Sequence, residues 1–227
     1  MAFTLDKVVP WGRSFEEYVA MFALSDEDLK KRFLDCGSGP ASFNCILTRR
    51  GGSIISVDPI YRFDSSCIRR RIDETYEQIM EQTRKNKEEF IWRDIPSIEA
   101  LGRVRMAAMS EFLSDFDAGI KEGRYADASL PHLRFKDGDF DIALCSHFLF
   151  LYSEQLSEDF HLHSIEELCR VSSEARIFPL LELGARRSRH LEAIIARLQD
   201  DGFEALLERV PYEFQKGGNE MLRIKAV

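Results

Sequence analysis

Two acidic residues and a short glycine turn carry the clearest chemical signal in the sequence. Residues 33–42 read F-L-D-C-G-S-G-P-A-S, which predicts a buried strand that passes through a tight turn into the start of a helix. Glycine at positions 37 and 39 lets a ligand approach the main chain closely, and free N–H groups at a helix start favour an anionic group. Taken alone, Gly37 and Gly39 also fit a plain strand-to-helix turn.

Asp58 makes a nucleoside site the better interpretation of that turn. It follows the next predicted strand, 23 positions after Asp35. An acid at this place in a βαβ unit can accept hydrogen bonds from both hydroxyls of a ribose. By itself Asp58 would also serve as a helix cap in its D-P-I context. The acid and the glycine turn at this spacing together predict that the chain binds a nucleoside.

One histidine is placed where a base would serve the same site. His147 directly follows the strand predicted at 140–146, at the edge of the sheet where a ligand binds. Near pH 7 a neutral imidazole is available to accept a proton from an oxygen or nitrogen nucleophile. The position equally suits a residue that shapes the pocket or contacts the substrate, and both roles stay open. The H-L-H sequence at 161–163 has no third ligand in view, so no metal site is predicted.

Alternating strand and helix signals predict the frame that positions these residues, a doubly wound α/β sheet. Residues 61–123 keep a helical spacing far longer than the dozen or so residues that a crossover needs, which indicates a helical insertion. Gly217-Gly218 separates two apolar runs and predicts an antiparallel hairpin. Two short helices are predicted within residues 1–30. The predicted strands lie at 32–36, 53–57, 124–127, 140–146, 176–183, 205–212 and 221–227.

Three residues give finer local signals. Ser14 begins S-F-E-E and Ser164 begins S-I-E-E, and a hydroxyl followed by an acid three residues later predicts a helix N-terminus at each. Pro179 interrupts an otherwise apolar strand. Because proline has no N–H for the strand ladder, it predicts a bulge or an early end of that strand.

Composition and charge limit the partners. A length of 227 residues suits a single α/β domain over 1–227, and 44% hydrophobic with 31% charged residues argues against disorder or a coiled coil. The net charge of −8 repels a phosphate backbone, so nucleic acid binding is not expected. No apolar run reaches the roughly 18–20 residues of a membrane span, and residues 1–10 lack a secretory signal pattern. Five cysteines without C-x-x-C predict reduced, buried thiols. We therefore expect a cytoplasmic protein.

Four segments in chain order resemble the motifs of the class I S-adenosylmethionine-dependent methyltransferases. D-C-G-S-G at 35–39 resembles the family's first motif, D-x-G-x-G, and Asp58 resembles its second. A-D-A-S-L-P at 126–131 resembles the D-A-x-x-L-P segment after the third strand, and D-G-D-F-D-I-A-L-C-S-H at 137–147 resembles the fourth strand. M-F-A-L-S and Y-E-F-Q-K-G-G-N-E-M-L are similar to a group of uncharacterised bacterial members. The resemblance covers nearly the whole chain outside residues 61–123.

The resemblance implies a fold, a cofactor and a reaction. The fold would be Rossmann-like α/β, a doubly wound, mostly parallel seven-stranded sheet with an antiparallel C-terminal hairpin strand and a helical insertion between strands 2 and 3. S-adenosylmethionine would be the cofactor for in-line methyl transfer to a small molecule or, less readily, a protein. The N/D-P-P-Y/F sequence of members that methylate nucleic acid amino groups does not occur. The insertion at 61–123 would form a lid or an acceptor wall. A dimer contact or plain scaffold is its alternative use, so a homodimer stays open.

Residue roles follow from the same resemblance. The main chain of Asp35, Gly37 and Gly39 would hold the methionine part of the cofactor, and Asp58 would hold its ribose. Ala41 replaces the frequent third glycine of the motif. Asp127 would accept from the adenine amino group, and the amide of Ala128 would contact the adenine ring. Pro59 and Ile60 would cover the adenine face. The carbonyl of Cys145 or Ser146 would accept from the ammonium group, Tyr18 would close over the pocket, and His147 would be the catalytic residue.

Two other functions remain open at this stage. An NAD-dependent oxidoreductase also uses a G-x-G turn and a ribose-binding acid, although Ser42 stands where its third glycine or alanine would be. A non-catalytic regulatory module would bind S-adenosylmethionine in the same pocket. Binding of NADH in place of the sulfonium compound would favour the first, and binding without turnover would favour the second.

Overall fold

Nine strands and six α-helices build the part of the chain that the computed structural model describes, residues 9–226. In chain order the strands are β1 (Arg32–Cys36), β2 (Ser53–Val57), β3 (Tyr125–Ala126), β4 (Phe140–Ser146), β5 (Ser172–Phe178), β6 (Leu181–Glu182), β7 (Arg186–Arg187), β8 (Phe203–Arg209) and β9 (Glu220–Ala226). The helices are α1 (Phe15–Met21), α2 (Phe43–Arg49), α3 (Ser65–Lys85), α4 (Ile98–Lys121), α5 (Glu158–Val171) and α6 (Leu191–Asp200). Short 3-10 helices span Asp28–Lys30, Pro59–Arg62, Lys87–Glu89 and Phe150–Tyr152.

Seven of the strands form one sheet in the order β3-β2-β1-β4-β5-β9-β8. From β3 to β5 in that order the strands pair in parallel, whereas β9 runs antiparallel to both of its neighbours. The prediction of a mostly parallel seven-stranded sheet with an antiparallel C-terminal hairpin strand is therefore confirmed. β6 and β7 form a separate two-stranded ribbon that no sequence signal predicted.

Helices cover both faces of this sheet. On one face the ring of Phe43 in α2 meets the ring of Phe33 in β1 edge to face, with centroids 5.7 Å apart. On the other face Leu34 shares a buried apolar cluster with Ile165 of α5 and Leu191 of α6. Phe33 and Leu34 are both fully buried although they point to opposite sides of the strand. Burial on both sides is what a doubly wound parallel sheet requires.

The chain between β2 and β3 is helical, as predicted. α3 and α4 pack against each other, and α4 also contacts β3. Phe112 and Phe116 of α4 form an aromatic cluster with Tyr61 and Tyr125, with ring centroids 5.0–5.8 Å apart. Because Tyr125 belongs to β3 and Tyr61 follows β2, this cluster fixes the insertion to the edge of the sheet.

One of the two predicted helix caps is confirmed and the other is wrong. The N–H of Glu17 donates to the Ser14 hydroxyl at 3.2 Å, and the N–H of Ser14 donates to the Glu17 carboxylate at 2.9 Å, which closes a capping box at the start of α1. Ser164 lies buried inside α5 instead of starting it. That helix begins earlier because the Ser157 hydroxyl accepts from the N–H of Phe160 at 3.2 Å.

The strand predicted at 176–183 is shifted towards the N-terminus. β5 ends at Phe178, directly before Pro179, so the expected early end is confirmed. Its start at Ser172 was missed, because α5 passes into β5 at Val171 without a turn residue between them. Within residues 9–226 no helix is both long and apolar enough to cross a bilayer. The prediction about a secretory signal concerns residues 1–10, of which 1–8 lie outside the described residues.

Candidate active site

Strand register brings the predicted site residues to one edge of the sheet. Cys36 at the end of β1 pairs with Val57 of β2 and with Cys145 of β4. Val57 pairs in turn with Ala126 of β3, and Ser146 of β4 pairs with Phe178 of β5. The residues that follow these strand ends therefore meet at the carboxyl edge of the sheet, where open α/β sheets bind their ligands. They are Gly37, Asp58, Asp127 and His147.

The turn after β1 depends on its two glycines. Gly37 and Gly39 have φ values of +66° and +51°, a region that residues with a side chain avoid. A Cβ at Gly37 would lie 3.0 Å from the Cβ of Phe148, whereas a Cβ at Gly39 would meet no heavy atom of the described chain within 4 Å. The main chain at Gly39 therefore faces open space that a ligand can fill.

Asp58 is bonded directly to this turn. Its Oδ2 accepts from the N–H of Gly39 and its Oδ1 from the N–H of Ile60, both at 2.9 Å. Burial raises the pKa of the Asp58 carboxyl, the two main-chain donors oppose the rise, and Asp127 adds to it. An ionised carboxylate has about four acceptor positions, so two remain for hydroxyl donors. The position fits the predicted ribose contact.

Asp35 lies below the turn, with Tyr18 beside it. The Tyr18 hydroxyl donates to Asp35 Oδ1 at 3.3 Å, and the Tyr18 ring stacks on Phe43 with centroids 4.7 Å apart. Both residues are buried, so Tyr18 is a fixed part of the cavity wall. Asp35 Oδ2 is buried with no hydrogen-bond partner among the described residues, and burial raises the pKa of Asp35 well above its usual value. Asp35 itself is not among the residues that line the cavity.

A cavity of about 800 Å³ opens at this edge, within the range of about 300–1,000 Å³ that is usual for ligand pockets. The glycine turn, Asp58, Ser146 and His147 line one part of it. Side chains from the insertion, among them Ile79 and Leu101, line another part. The remaining walls come from near the two ends of the chain, with Val9, Pro10 and Trp11 at one end and Tyr212, Phe214 and Gly218 at the other.

The predicted adenine contacts are divided between the cavity and its rim. Pro59, Ile60 and Ala128 line the cavity. The Asp127 side chain is exposed and lies outside the lining, where its Oδ1 accepts from Arg62 at 3.2 Å. Its contact with an adenine amino group stays a prediction.

His147 sits in the cavity wall with a constrained backbone. Its φ of +52° is unusual for a residue with a side chain, and its N–H donates to the carbonyl of Phe178 at 2.7 Å. Its Nδ1 lies 2.9 Å from the Ser146 hydroxyl. Burial lowers the pKa of His147 well below its usual value, and the positive charges of Arg13 and Arg105 lower it further. The imidazole is therefore neutral at neutral pH.

A buried charge cluster in the same wall was not predicted from the sequence. Arg105 of α4 is fully buried and pairs with the carboxylate of Glu17. The Tyr212 hydroxyl donates to Glu17 at 2.8 Å, and Arg13 lies close by. Burial alone would raise the pKa of Glu17, but Arg105 and Arg13 outweigh it and lower the pKa to about 2. One signal in the sequence could have revealed the cluster, since Arg105 stands on the apolar stripe of α4 between Leu101 and Ala108.

The strand order, with β9 antiparallel in an otherwise mostly parallel sheet, defines a Rossmann-like α/β fold. No family model matches the chain. The chain is 34% identical over 222 residues to uncharacterized protein MJ0045 of Methanocaldococcus jannaschii, and the match covers 97% of each chain. This chain therefore belongs to the same protein family as MJ0045.

Solved structures give only distant matches. Magnesium protoporphyrin IX methyltransferase from Synechocystis, with S-adenosylmethionine bound, matches 94% of this chain and 78% of its own at 13% identity and a TM-score of 0.49. A TehB-like S-adenosylmethionine-dependent methyltransferase from Corynebacterium glutamicum matches 94% and 87% at 14% identity and a TM-score of 0.47. With TM-scores below 0.5, the assignment of the fold stands on the strand order itself.

Proposed function

We propose that this protein is an S-adenosylmethionine-dependent methyltransferase whose acceptor is a small molecule. The observation that carries the proposal is the bond between Gly39 and Asp58 at the rim of a deep cavity. It places a carboxylate with spare acceptor capacity beside open main chain, which is the arrangement that binds an adenosyl sugar. When bound, the cofactor supplies a methyl group on a sulfonium, an excellent leaving group.

The residues at the carboxyl edge fit that cofactor. Asp58 would accept from the ribose hydroxyls, and Pro59, Ile60 and Ala128 would surround the adenine. The glycine turn would hold the methionine portion, above the buried and unpartnered Oδ2 of Asp35. The carbonyl of Ser146 or Cys145, at the end of β4, would accept from the ammonium group. Asp127, which lies outside the cavity lining, would accept from the adenine amino group.

The chain's main contribution to the reaction would be positioning. Aromatic side chains form part of the cavity wall. Such a cavity excludes water and holds two reactants in one orientation, which favours in-line displacement. The insertion supports this role because Ile79, Leu101 and Arg105 reach the cavity wall. We assign it to the acceptor wall.

His147 is proposed as the group that accepts the proton of an oxygen or nitrogen nucleophile. It lines the cavity and is neutral, so an imidazole nitrogen is free to take a proton. Its lowered pKa makes it a weak base, which suits a nucleophile that becomes acidic only as the methyl group is transferred. A role that only shapes the pocket would leave the pH dependence of turnover unchanged in His147→Asn.

Calorimetry with S-adenosylmethionine, S-adenosylhomocysteine and NADH tests the proposal. We expect the two sulfur compounds to bind and NADH not to bind. Absence of binding by either sulfur compound to the folded protein would contradict the cofactor assignment, and binding of NADH alone would indicate an oxidoreductase. Incubation with methyl-labelled S-adenosylmethionine and a fractionated small-molecule extract then tests transfer. Cofactor binding without labelled product in any fraction, together with recovery of a stoichiometric protein partner, would favour the regulatory module.

A further inference from the structure

Two arginines in the cavity wall are not satisfied by the protein around them. The guanidinium of Arg105 is fully buried, and its Nε and Nη2 have no hydrogen-bond partner within residues 9–226. Arg13 Nε is also buried without a partner in that range, although Arg13 Nη1 donates to the carbonyl of Trp11 at 2.7 Å. Buried N–H groups of a charged side chain are costly to leave unpaired. Both residues belong to the cavity wall.

The charge of this cluster is unbalanced. Arg13 lies close enough to Arg105 for the charge of Arg105 to lower the pKa of Arg13, and both arginines act on the carboxylate of Glu17. Burial and the charge of Arg105 lower the pKa of Arg13 to about 10, so it is still ionised at neutral pH. Two positive groups and one negative group leave one positive charge uncompensated. A buried charge of this kind is normally paired.

The lining of the cavity as a whole is also positive. Five arginines but only two acids line it, although the whole chain carries a net charge of −8. Of the three exposed arginines in the lining, Arg62 pairs with Asp127 and Arg71 with Glu74, whereas the charge of Arg70 is exposed to solvent and is screened by it. The positive charge held within the cavity wall therefore lies at Arg13 and Arg105. S-adenosylmethionine does not supply the missing charge, because its sulfonium and ammonium outweigh its carboxylate.

The position of Arg105 favours the acceptor side of the cavity. It belongs to α4 of the insertion, outside the segments that resemble the cofactor-binding motifs. One turn earlier on the same helix, Leu101 shares a buried cluster with Phe214, and both line the cavity. Phe178 and Tyr212, whose rings meet at 5.7 Å, line it as well. A charged anchor among aromatic and aliphatic side chains fits a molecule with one anionic group on an apolar body.

We infer that the acceptor is an apolar carboxylic acid, whose carboxylate is held by Arg105 with Arg13. This inference rests on the proposed function, since it names the molecule that receives the methyl group. An arginine presents its N–H groups in a planar fork that matches a carboxylate, which a lysine cannot reproduce. The carboxylate would satisfy the free N–H groups and balance the cluster. It is an anchor for the acceptor, and the methylated atom lies elsewhere on that molecule.

Calorimetry on the full chain saturated with S-adenosylhomocysteine tests the inference. The probes are octanoate and 2-naphthoate, each compared with its uncharged amide. We expect at least one carboxylate to bind about tenfold more tightly than its amide, the effect of one charge-assisted hydrogen bond. Equal affinity of acid and amide in both pairs would overturn the inference without any variant.

Variants locate the anchor. Arg13→Gln, Arg105→Gln and Glu17→Gln combined remove all three charges of the cluster and so avoid an unpaired charge. This triple variant should lose the preference for the carboxylate and keep its affinity for the amide, whereas Arg105→Lys should keep part of the preference. A preference that survives the triple variant would overturn the assignment. Circular dichroism and the melting temperature check that each variant is folded.

A further comparison separates the acceptor from the cofactor. 5′-Methylthioadenosine lacks the amino acid end of S-adenosylhomocysteine. If the triple variant weakens S-adenosylhomocysteine but not 5′-methylthioadenosine, the arginines serve the cofactor's carboxylate and the inference is wrong. The carboxylate titration is repeated without S-adenosylhomocysteine. A preference for the acid in a protein that binds neither sulfur compound would refute the proposed methyltransferase while leaving the anion site in place.

Discussion

Gly39 donates its main-chain N–H to Oδ2 of Asp58 at 2.9 Å, and this bond joins the ends of β1 and β2. Both strands end at the same level because Cys36 pairs with Val57. The carboxylate is thereby held at the cavity rim in one orientation. Because the bond joins Gly39 to Asp58, a substitution at either residue should change the position of the other.

Asp58 should dominate cofactor affinity. Asp58→Ala removes at least one hydrogen bond to a charged acceptor, which is worth about 1.5–3 kcal/mol, so S-adenosylhomocysteine should bind at least about 10- to 150-fold more weakly. Asp127→Ala is the matched control and should lose less, because that carboxylate is exposed and already paired with Arg62. Calorimetry gives both values. An unchanged affinity in Asp58→Ala would contradict the ribose role.

The Glu17–Arg105 pair should stabilise the fold strongly. Glu17→Gln leaves the fully buried guanidinium of Arg105 without its carboxylate, which typically costs about 3–5 kcal/mol. Glu17→Gln with Arg105→Met should be less destabilised than the sum of the two single variants, because neither partner of the pair is left buried without the other. Urea unfolding of the four proteins measures the free energies of unfolding. Additive losses would show that the pair is not coupled.

The lowered pKa of Glu17 also predicts how this contribution depends on pH. The folded carboxyl titrates near pH 2 and an ordinary glutamate near 4.5, so the stabilisation is complete above pH 4.5 and is lost as the pH falls towards 2. Unfolding measured from pH 6 to pH 3 should therefore show a steeper loss in the wild type than in Glu17→Gln. Parallel curves would contradict the prediction.

His147 should make the fold less stable in mild acid. Its folded pKa lies well below the ordinary value of about 6.5, so below pH 6.5 the unfolded chain takes up a proton that the folded chain does not. Between pH 7.5 and pH 5 this lowers the free energy of unfolding by at most about 2 kcal/mol. His147→Asn should reduce that drop, because asparagine tolerates the positive φ and does not titrate. His161 is also buried with a lowered pKa, so part of the drop should persist.

Cys67 should react first with a thiol reagent. It is half-buried and lines the cavity, whereas Cys36, Cys45 and Cys145 are buried with raised pKa values. Cys169 is half-buried too, but burial raises its pKa to about 12, which keeps it protonated. Mass spectrometry after brief treatment with iodoacetamide should find the label at Cys67. S-adenosylhomocysteine should slow that labelling, and Cys67→Ser provides the control.

The part of the site that could be predicted consists of residues close together in the sequence. Asp35, the glycine turn and Asp58 belong to one βαβ unit, so their spacing alone predicted that they meet. The partner of Arg105 could not be predicted in this way. Its place on the apolar stripe of α4 indicates that Arg105 is buried, but not that it meets Glu17, which is 88 residues away. A partner so distant along the chain is fixed by tertiary packing and not by periodicity.

The walls contributed by Val9 to Arg13 and by Tyr212 to Gly218 have a practical consequence for handling this protein. Gly12 rests against the carbonyl of Pro40 so closely that even a methyl group would collide with it. Proteolytic trimming within residues 9–13 would therefore remove part of the cavity wall while leaving every strand of the sheet in place, because β1 begins only at Arg32. Preparations trimmed in this segment should differ from the full chain in the ligands that they bind.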